Sequence, residues 1–306
     1  MSNKIRHLLL TFTAPSLILT TLLMNVNSDL SQSKIDDPQS RVKPTVRITE
    51  KSPTREAEVS PVLIAAAAAN STSRNELTWT FGGKAQHGWY LYDSLIQKTL
   101  NSEDAPWTTD FAAAIATWQK SEGLNPSGVL DEDSMMALIA QWQSVRIKDR
   151  TSATPDQLIT VSASEFYDSE RLPELRSVER NTFEAYKKMV AAAIADPNLH
   201  LVHSPTGELA PEEKFFKIIS AFRSREYQEE LRRKSPNAGS AGLAINSPHF
   251  TGRALDLYVG GDPVDTRDAN RALQVNTPAY RWLVQNAERF GFRPYFYEPW
   301  HWEYVR

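Results

Sequence analysis

The sequence predicts a small helical unit followed by a larger α+β domain, and three observations support this fold class. The chain has 306 residues, which suggests two folded units because one domain has roughly 150 residues. Apolar residues between positions 110 and 142 recur with helical spacing, whereas the chain after position 150 mixes helical and strand-like patterns. With 41% hydrophobic and 23% charged residues, the chain can form a sizeable core.

Charge and cysteine content exclude several classes of function. Lys and Arg number 34 against 37 Asp and Glu, so the net charge of -3 gives no basic field for nucleic acid, which is not an expected partner. The absence of cysteine excludes thiol nucleophiles, thiolate metal sites and disulfides. Any metal must therefore be held by carboxylates and by some of the 6 histidines.

Residues 1–28 have the pattern of an export signal. Basic Lys4 and Arg6 precede an uncharged, mostly apolar run from Leu8 to Met24, with Pro15 inside it. The length of the run fits a cleaved signal peptide or a retained membrane anchor, and we favour cleavage. We therefore expect an exported protein of the periplasm or cell envelope, whose only membrane contact is such an anchor.

Residues 29–74 predict a disordered linker, because they are rich in Ser, Thr, Pro and charged residues without a sustained apolar period. The apolar run from Val62 to Ala69 interrupts this composition, and the sequence assigns it no role. Ser31 and Lys34 have the spacing of serine D,D-peptidases, but that chemistry needs a buried helix start. In a solvated linker the match is best explained by chance.

Residues 75–146 predict a helical module. Two helices are indicated by apolar spacing, the second one after Gly128 with Asp131 as its N-cap. The stretch WQKSEGLNPSGVLDEDSMMAL, residues 118–138, resembles peptidoglycan-binding modules built as three-helix bundles. The resemblance implies a small all-α module of three helices that holds peptidoglycan. A generic helical hairpin is the alternative.

Residues 147–306 predict the α+β domain. Helical spacing covers residues 182–195 and 277–290, and strand-like apolar density covers residues 216–222 and 254–259. The last 14 residues, from position 293, are aromatic and prone to form strands.

Two C-terminal histidines are candidates for a metal site, since a hydrolytic zinc takes three His or carboxylate ligands and leaves one position open. His249 precedes Asp256 by seven residues, so the chain must turn between them, and Thr251-Gly252 allows such a turn. Asp256 then falls inside a strand, where a charge needs a partner.

The second histidine, His301, follows Glu298 by three residues. In a regular strand the two side chains would face opposite ways, but Pro299 argues for an irregular strand that lets Glu298 sit beside the ion. A carboxylate at that place suits a general base. Arg223 and Arg225 each fit a developing oxyanion, and position alone does not separate them. Glu303 shares a strand face with His301 and is a candidate for its hydrogen-bond partner.

Three motifs occur in the order seen in zinc D-alanyl-D-alanine carboxypeptidases of the VanY type, which residues 165–306 resemble. The motifs are Phe-Arg-Ser with Tyr-Gln at 222–228, Ser-x-His-x-x-Gly-x-Ala-x-Asp at 247–256, and Glu-Pro-Trp-His at 298–301. The resemblance implies that His249, Asp256 and His301 bind one zinc ion. It also implies that Glu298 is the catalytic base and that Arg223 stabilises the transition state.

Two further residues of these motifs, Ser247 and Gln228, are candidates for binding the substrate, with a purely local turn role as the alternative. Ala221 departs from the pattern, because the family often has glycine there.

The fold class is thus an α+β zinc peptidase domain at 147–306, preceded by the helical module.

The expected function is a zinc-dependent peptidoglycan carboxypeptidase that removes the C-terminal D-alanine from stem peptides by metal-activated water. An L,D-carboxypeptidase or an endopeptidase acting on the same stem peptides remains open. A non-catalytic cell-wall-binding protein is the alternative of another class, and Glu298 argues against it, because a binding module needs no base beside the metal.

Overall fold

The computed structural model describes residues 60–234 and 244–305, in which eight α-helices and eight strands form. The helices are α1 (Pro61–Glu76), α2 (Asp93–Leu100), α3 (Thr109–Ser121), α4 (Glu132–Ser144), α5 (Arg180–Ile194), α6 (Arg225–Lys234), α7 (Asp268–Val275) and α8 (Pro278–Asn286). The strands are β1 (Thr78–Phe81), β2 (Lys84–His87), β3 (Leu158–Thr160), β4 (Ser177–Glu179), β5 (Ile218–Ser220), β6 (Ala254–Leu257), β7 (Phe292–Tyr295) and β8 (Glu298–Tyr304).

The N-terminal predictions lie outside the described residues, namely the export signal at 1–28, the linker up to residue 59 and the Ser31–Lys34 pair. No helix within the described ranges combines the length and the hydrophobicity that crossing a bilayer requires.

Helix α1 contains the apolar run to which the sequence alone assigns no role. The helix packs on α3, and Ala66, Ala67 and Ala112 form a small buried cluster between them. Gly128 lies against this cluster with a φ of +74°, and a Cβ there would be 2.9 Å from the carbonyl oxygen of Ala112. Small side chains therefore allow the close contact between α1 and α3. Residues 61–146 are called the helical unit below.

The prediction of a disordered linker is therefore wrong at residues 61–74, which belong to α1. Pro61 stands in the first turn of α1, where proline is favoured because its missing N–H needs no partner. The alanine-rich sequence has little apolar periodicity, and polar Asn70 occupies a fully buried position. These two features conceal the buried face of the helix from pattern analysis.

The prediction of an all-α module is wrong at residues 78–87, where β1 and β2 form an antiparallel hairpin. Phe81 pairs with Lys84, so the loop consists of Gly82 and Gly83, with φ values of 57° and 76°. Two-residue loops with positive φ match the twist of the strands that they join. The Gly-Gly pair is the sequence signal for this hairpin. The α-helices of residues 77–146 are α2, α3 and α4.

The start of α4 agrees with the sequence analysis. The Asp131 carboxylate accepts a hydrogen bond from the backbone N–H of Ser134 at 2.9 Å, which makes it the predicted N-cap. The apolar residues that predict α3 and α4 are mostly buried, among them Phe111, Trp118 and Trp142.

A four-stranded antiparallel sheet with the order β5-β6-β8-β7 forms the centre of the C-terminal region. Ser220 of β5 pairs with Asp256 of β6, and Asp256 pairs with His301 of β8. The three side chains therefore lie in one row across neighbouring strands. Leu255 and Trp302, the adjacent pair in the register, belong to the buried core.

The helical unit and the C-terminal region share one hydrophobic core. Phe296, in the loop between β7 and β8, packs against three aromatic rings of the helical unit. The ring centroids are 4.7 Å from Phe81, 5.5 Å from Tyr92 and 5.9 Å from Trp142. The buried Arg271 of α7 donates a hydrogen bond of 2.6 Å to the Tyr92 hydroxyl.

The stability of the helical unit depends on Asn70, whose side-chain amide joins α1 to the turn before α4. It donates to the Gly128 carbonyl and accepts from the Leu130 N–H, each at 2.8 Å. We expect Asn70→Ala to lower the free energy of unfolding by roughly 2–4 kcal/mol, because two buried backbone groups lose their partners. Denaturant titration measures this. The exposed Asn75→Ala on the same helix is the control, and equal midpoints for both variants would contradict the account.

Candidate metal centre

His249 is positioned by a short 3-10 turn, Pro248–Thr251, that begins with proline and ends at Gly252. Gly252 has a φ of +66°, and a Cβ there would lie 3.0 Å from the backbone nitrogen of Glu179. This glycine allows the turn that the sequence analysis requires between His249 and Asp256. The imidazole Nδ1 donates to the Ala221 carbonyl at 2.6 Å, so Nε2 points away from it. Ala221 contributes only a backbone carbonyl here.

The row across the sheet brings His301 to Asp256. The distance from Asp256 Oδ1 is 2.9 Å to His301 Nδ1 and 3.3 Å to His249 Nε2. One ligand atom from each of the three side chains lies within 4.8 Å of the others, and all three residues are buried. The structure thus brings together the three predicted ligands, although they are far apart in the sequence.

Glu298 reaches this group through an irregularity in the sheet. Pro294 of β7 pairs with Trp302, but the next residue, Tyr295, pairs with Glu298. Residues 299–301 of β8 are therefore left without partners in β7, which breaks the alternation of faces. The buried Glu298 carboxylate lies with Oε2 4.0 Å from His301 Nδ1. Both side chains consequently face one cavity.

Arg223 binds the other oxygen of Asp256. Its Nη2 donates to Asp256 Oδ2 at 2.6 Å, and its Nε donates to the Ser220 hydroxyl at 2.9 Å. Arg225 lies elsewhere, with its guanidinium 4.6 Å from the centre of the Phe250 ring. Of the two arginines that fit equally well by sequence position, Arg223 is therefore the one that contacts Asp256.

The two candidate substrate-binding residues differ in their position. Ser247 lines the cavity, and its hydroxyl accepts from the His249 N–H at 3.3 Å. Gln228 is buried behind Arg223, where its Oε1 lies 3.4 Å from Nη1 and its Nε2 donates to the Ala244 carbonyl at 3.0 Å. The described contacts of Gln228 are thus with the protein, and it is not part of the cavity wall.

The cavity has a volume of about 480 Å³ and contains more basic residues than the motifs predict. Besides the predicted ligands, Glu298 and Arg223, it is lined by Tyr295 and by Arg146, Arg150 and Arg171. Sequence analysis missed these three arginines because none belongs to a motif. Arg146 follows α4, at the far end of the helical unit in sequence.

Glu303 is the hydrogen-bond partner of His301. Its Oε1 lies 3.2 Å from His301 Nε2, and its side chain is fully buried. The same carboxylate forms an ion pair with Arg146. The contact between Glu303 and His301 that their shared strand face predicts is therefore present.

Burial sets the charge states of the site, together with these contacts. Burial raises the pKa of Glu298 to about 7, and the nearby Asp256 carboxylate adds to the effect. Burial and the charge of Arg223 lower the pKa of His249 to about 4. Burial alone would raise the pKa of Asp256, but His249, His301 and Arg223 hold it well below its usual range.

The pKa of His301 moves in the opposite direction to that of His249. Burial would lower it, but hydrogen bonds to Asp256 and Glu303 raise it to about 9. The pKa of Glu303 would rise on burial, but His301 and Arg146 hold it at about 2. Without a metal, His301 is therefore an imidazolium between two carboxylates at neutral pH.

Comparison with known proteins agrees with these motifs. Residues 208–306 match the family model of VanY, described as D-alanyl-D-alanine carboxypeptidase. A solved structure of VanYB in complex with D-alanine-D-alanine is similar over 45% of this chain and 76% of that chain, with 22% sequence identity and a TM-score of 0.27. No curated protein matches the chain.

The family match begins at residue 208, so the resemblance of residues 75–146 to peptidoglycan-binding modules stays a prediction. The matched part contains His249, Asp256, Glu298 and His301. The resemblance of the C-terminal region to the VanY-type D-alanyl-D-alanine carboxypeptidases is therefore confirmed.

Proposed function

We propose that this protein is a zinc-dependent carboxypeptidase that removes the terminal D-alanine from peptidoglycan stem peptides. The observation that carries the proposal is the buried carboxyl group of Glu298 beside the His249–Asp256–His301 group, in a cavity open to a ligand. The family match of residues 208–306 supplies the substrate class, since its description is a D-alanyl-D-alanine carboxypeptidase.

The donor set fits zinc. The Nδ1 of His249 donates to a carbonyl, which leaves an Nε2 lone pair facing Asp256 Oδ1 at 3.3 Å. Two acceptors that face each other in a buried site need a cation between them. Two imidazoles and one carboxylate are a known ligand set of catalytic zinc, and one position then stays open. When bound, zinc would supply a Lewis acid that polarises the scissile carbonyl.

Glu298 would move the proton of the reaction. With a pKa of about 7, its carboxylate can accept a proton from the attacking water near neutral pH. The water oxygen then bonds to the carbonyl carbon, the C–N bond breaks, and the same carboxyl group returns the proton to the departing amine. The products are the shortened stem peptide and free D-alanine.

Arg223 would stabilise the negative charge that develops on the carbonyl oxygen. Its guanidinium lines the cavity and is fixed by Ser220 and Asp256, so little reorganisation is needed during the reaction. Ser247, which lines the same cavity, would bind the peptide.

Such an activity belongs in the cell envelope, which agrees with the export signal predicted at residues 1–28. We propose that the helical region at 61–146 holds peptidoglycan and raises the local concentration of substrate. Cleavage of an L,D bond or an internal bond of the stem, and binding without cleavage, are the alternatives that the following experiment separates.

We expect the zinc-loaded protein to shorten a defined pentapeptide stem by the mass of one alanine, and a chelator to abolish this. Glu298→Gln should keep one zinc while turnover falls roughly 10²- to 10⁴-fold, because the proton acceptor is lost. Mass spectrometry of the products and metal analysis measure the two effects.

The control for this series is the exposed Glu212→Gln, which should behave as wild type. Equal turnover of Glu298→Gln and wild type would show that Glu298 is not the base. Loss of a different fragment would favour an L,D-carboxypeptidase or an endopeptidase. Binding of the stem peptide without any product would favour the wall-binding alternative.

Zinc affinity should increase with pH. Zinc needs the lone pair of His301 Nδ1, and the metal-free imidazole holds a proton up to a pKa of about 9. One proton must leave for each zinc bound, so affinity should rise about tenfold per pH unit between pH 6 and 8 and flatten above pH 9. Competition with a chromophoric chelator measures this, and a pH-independent affinity would contradict the assignment.

A further inference from the structure

The end of the helical unit contacts Glu303, whose buried carboxylate lies beside the candidate metal centre. Its Oε1 accepts from Arg146 Nε at 3.0 Å and lies 3.2 Å from His301 Nε2. Its Oε2 accepts from the backbone N–H of Ile147 at 2.8 Å. Both oxygens are therefore occupied by the segment that follows α4 and by one predicted metal ligand.

Arg146 is itself held on several sides. Its guanidinium lies 3.8 Å from the centre of the Tyr295 ring, and Nη1 donates to Gln143 Oε1 at 2.8 Å. Gln143 belongs to α4, so the end of this helix determines where the guanidinium lies. A planar, forked cation stacked on an aromatic ring has little freedom to move.

We infer that Arg146 is a positioning residue for the metal centre. It fixes the carboxylate of Glu303, which accepts the Nε2 proton of His301 and thereby directs Nδ1 toward Asp256. A histidine ligand whose second nitrogen donates to a carboxylate has a fixed ring orientation and greater basicity, which strengthens metal binding. The inference rests on the proposed zinc site, but not on which bond the enzyme cleaves.

The helical unit, which we propose to bind peptidoglycan, would thus also support the metal site. The ligands all come from the C-terminal region, but the ring of His301 takes its orientation from a residue of the preceding segment. The shared aromatic core around Phe296 keeps that segment in place.

The test measures zinc affinity in the full chain by chelator competition. The first variant, Arg146→Lys, keeps the positive charge but loses the planar guanidinium with its paired N–H donors. The second combines Arg146→Met with Glu303→Gln and removes both charges, so that no buried carboxylate is left unpaired. We expect each to bind zinc roughly 10- to 100-fold more weakly than wild type. Lys148→Met is the control and should stay within about twofold, since the exposed Lys148 makes one hydrogen bond among the described residues, to the Gln143 carbonyl.

The melting temperature of the zinc-free proteins separates positioning from folding. Weaker zinc binding at an unchanged zinc-free melting temperature supports the inference. Wild-type zinc affinity in both Arg146 variants, with or without a lower melting temperature, overturns it. Neither result depends on peptide cleavage, so failure of this inference is distinct from failure of the proposed activity.

An independent observation concerns the two other arginines that sequence analysis missed. Arg150 and Arg171 line the cavity and are half-buried, yet neither forms an ion pair with a carboxylate among the described residues. Arg150 Nη1 donates to the Asn246 carbonyl at 2.6 Å, and Arg171 Nε donates to the Leu175 carbonyl at 2.9 Å. Within residues 60–234 and 244–305 no other hydrogen-bond partner of either guanidinium is found, so their remaining N–H groups could bind a ligand.

Both cations line the cavity that contains the candidate metal centre, and each is held by a carbonyl group of a different segment, that of Asn246 for Arg150 and that of Leu175 for Arg171. A ligand in this cavity would therefore meet two guanidinium groups that form no ion pair among the described residues.

The geometry points to a substrate with two anionic groups. A carboxypeptidase substrate supplies one, its C-terminal carboxylate. The second would be a free carboxylate on the acyl side of the scissile bond. Stem peptides supply one when their diamino acid has a carboxyl group that is not part of a peptide bond. This inference rests on the proposed function and names its substrate class.

The experiment compares two stem pentapeptides that differ only in whether the diamino acid's free carboxyl group is present or amidated. Dissociation constants are measured by calorimetry on zinc-loaded Glu298→Gln protein, so that binding is read without turnover. We expect the acid to bind roughly 10- to 100-fold more tightly, as for a charge-assisted hydrogen bond. One of the two variants, Arg150→Met or Arg171→Met, should abolish this preference. The remaining variant should weaken the binding of both peptides by the same factor.

The exposed Arg180→Met, outside the cavity, is the control and should keep the preference. Equal binding of both peptides to the parent protein overturns the inference, as does a preference that survives in both cavity variants. If wild-type protein binds the peptides with the expected preference but cleaves neither, the substrate class stands and the proposed activity fails.

Discussion

The carboxylate of Asp256 is the interaction on which the rest of the site depends. It is fully buried in the middle of the sheet, where an unpaired charge would be very unfavourable. One oxygen faces both histidines and the other accepts from Arg223. The sheet register that places Ser220, Asp256 and His301 side by side is therefore also what allows this charge to be buried.

The same principle extends outward to Glu303, a second buried carboxylate. It is neutralised by His301 on one side and by Arg146 on the other. A chain of alternating charges thus runs from Arg223 through Asp256, His301 and Glu303 to the end of α4. The helical unit and the C-terminal region are coupled by electrostatics as well as by the aromatic core.

Much of the site could be predicted from the sequence, because its ligands lie in three short motifs with fixed spacing. His249, Asp256 and His301 meet as their motifs indicate, and Pro299 does mark an irregular strand. Arg146 could not be found this way, since its partner Glu303 is distant in sequence and no local pattern joins them. Helix α1 was missed because alanine and a buried Asn70 hide its periodicity, whereas the hairpin had a readable Gly-Gly signal.

The most direct test of the account is a crystal structure of the zinc-loaded protein with anomalous scattering measured at the zinc edge. We expect one strong peak about 2.0–2.2 Å from His249 Nε2, Asp256 Oδ1 and His301 Nδ1, with Glu298 beside it. Zinc bound by other residues, or by no more than one of these three, would contradict it.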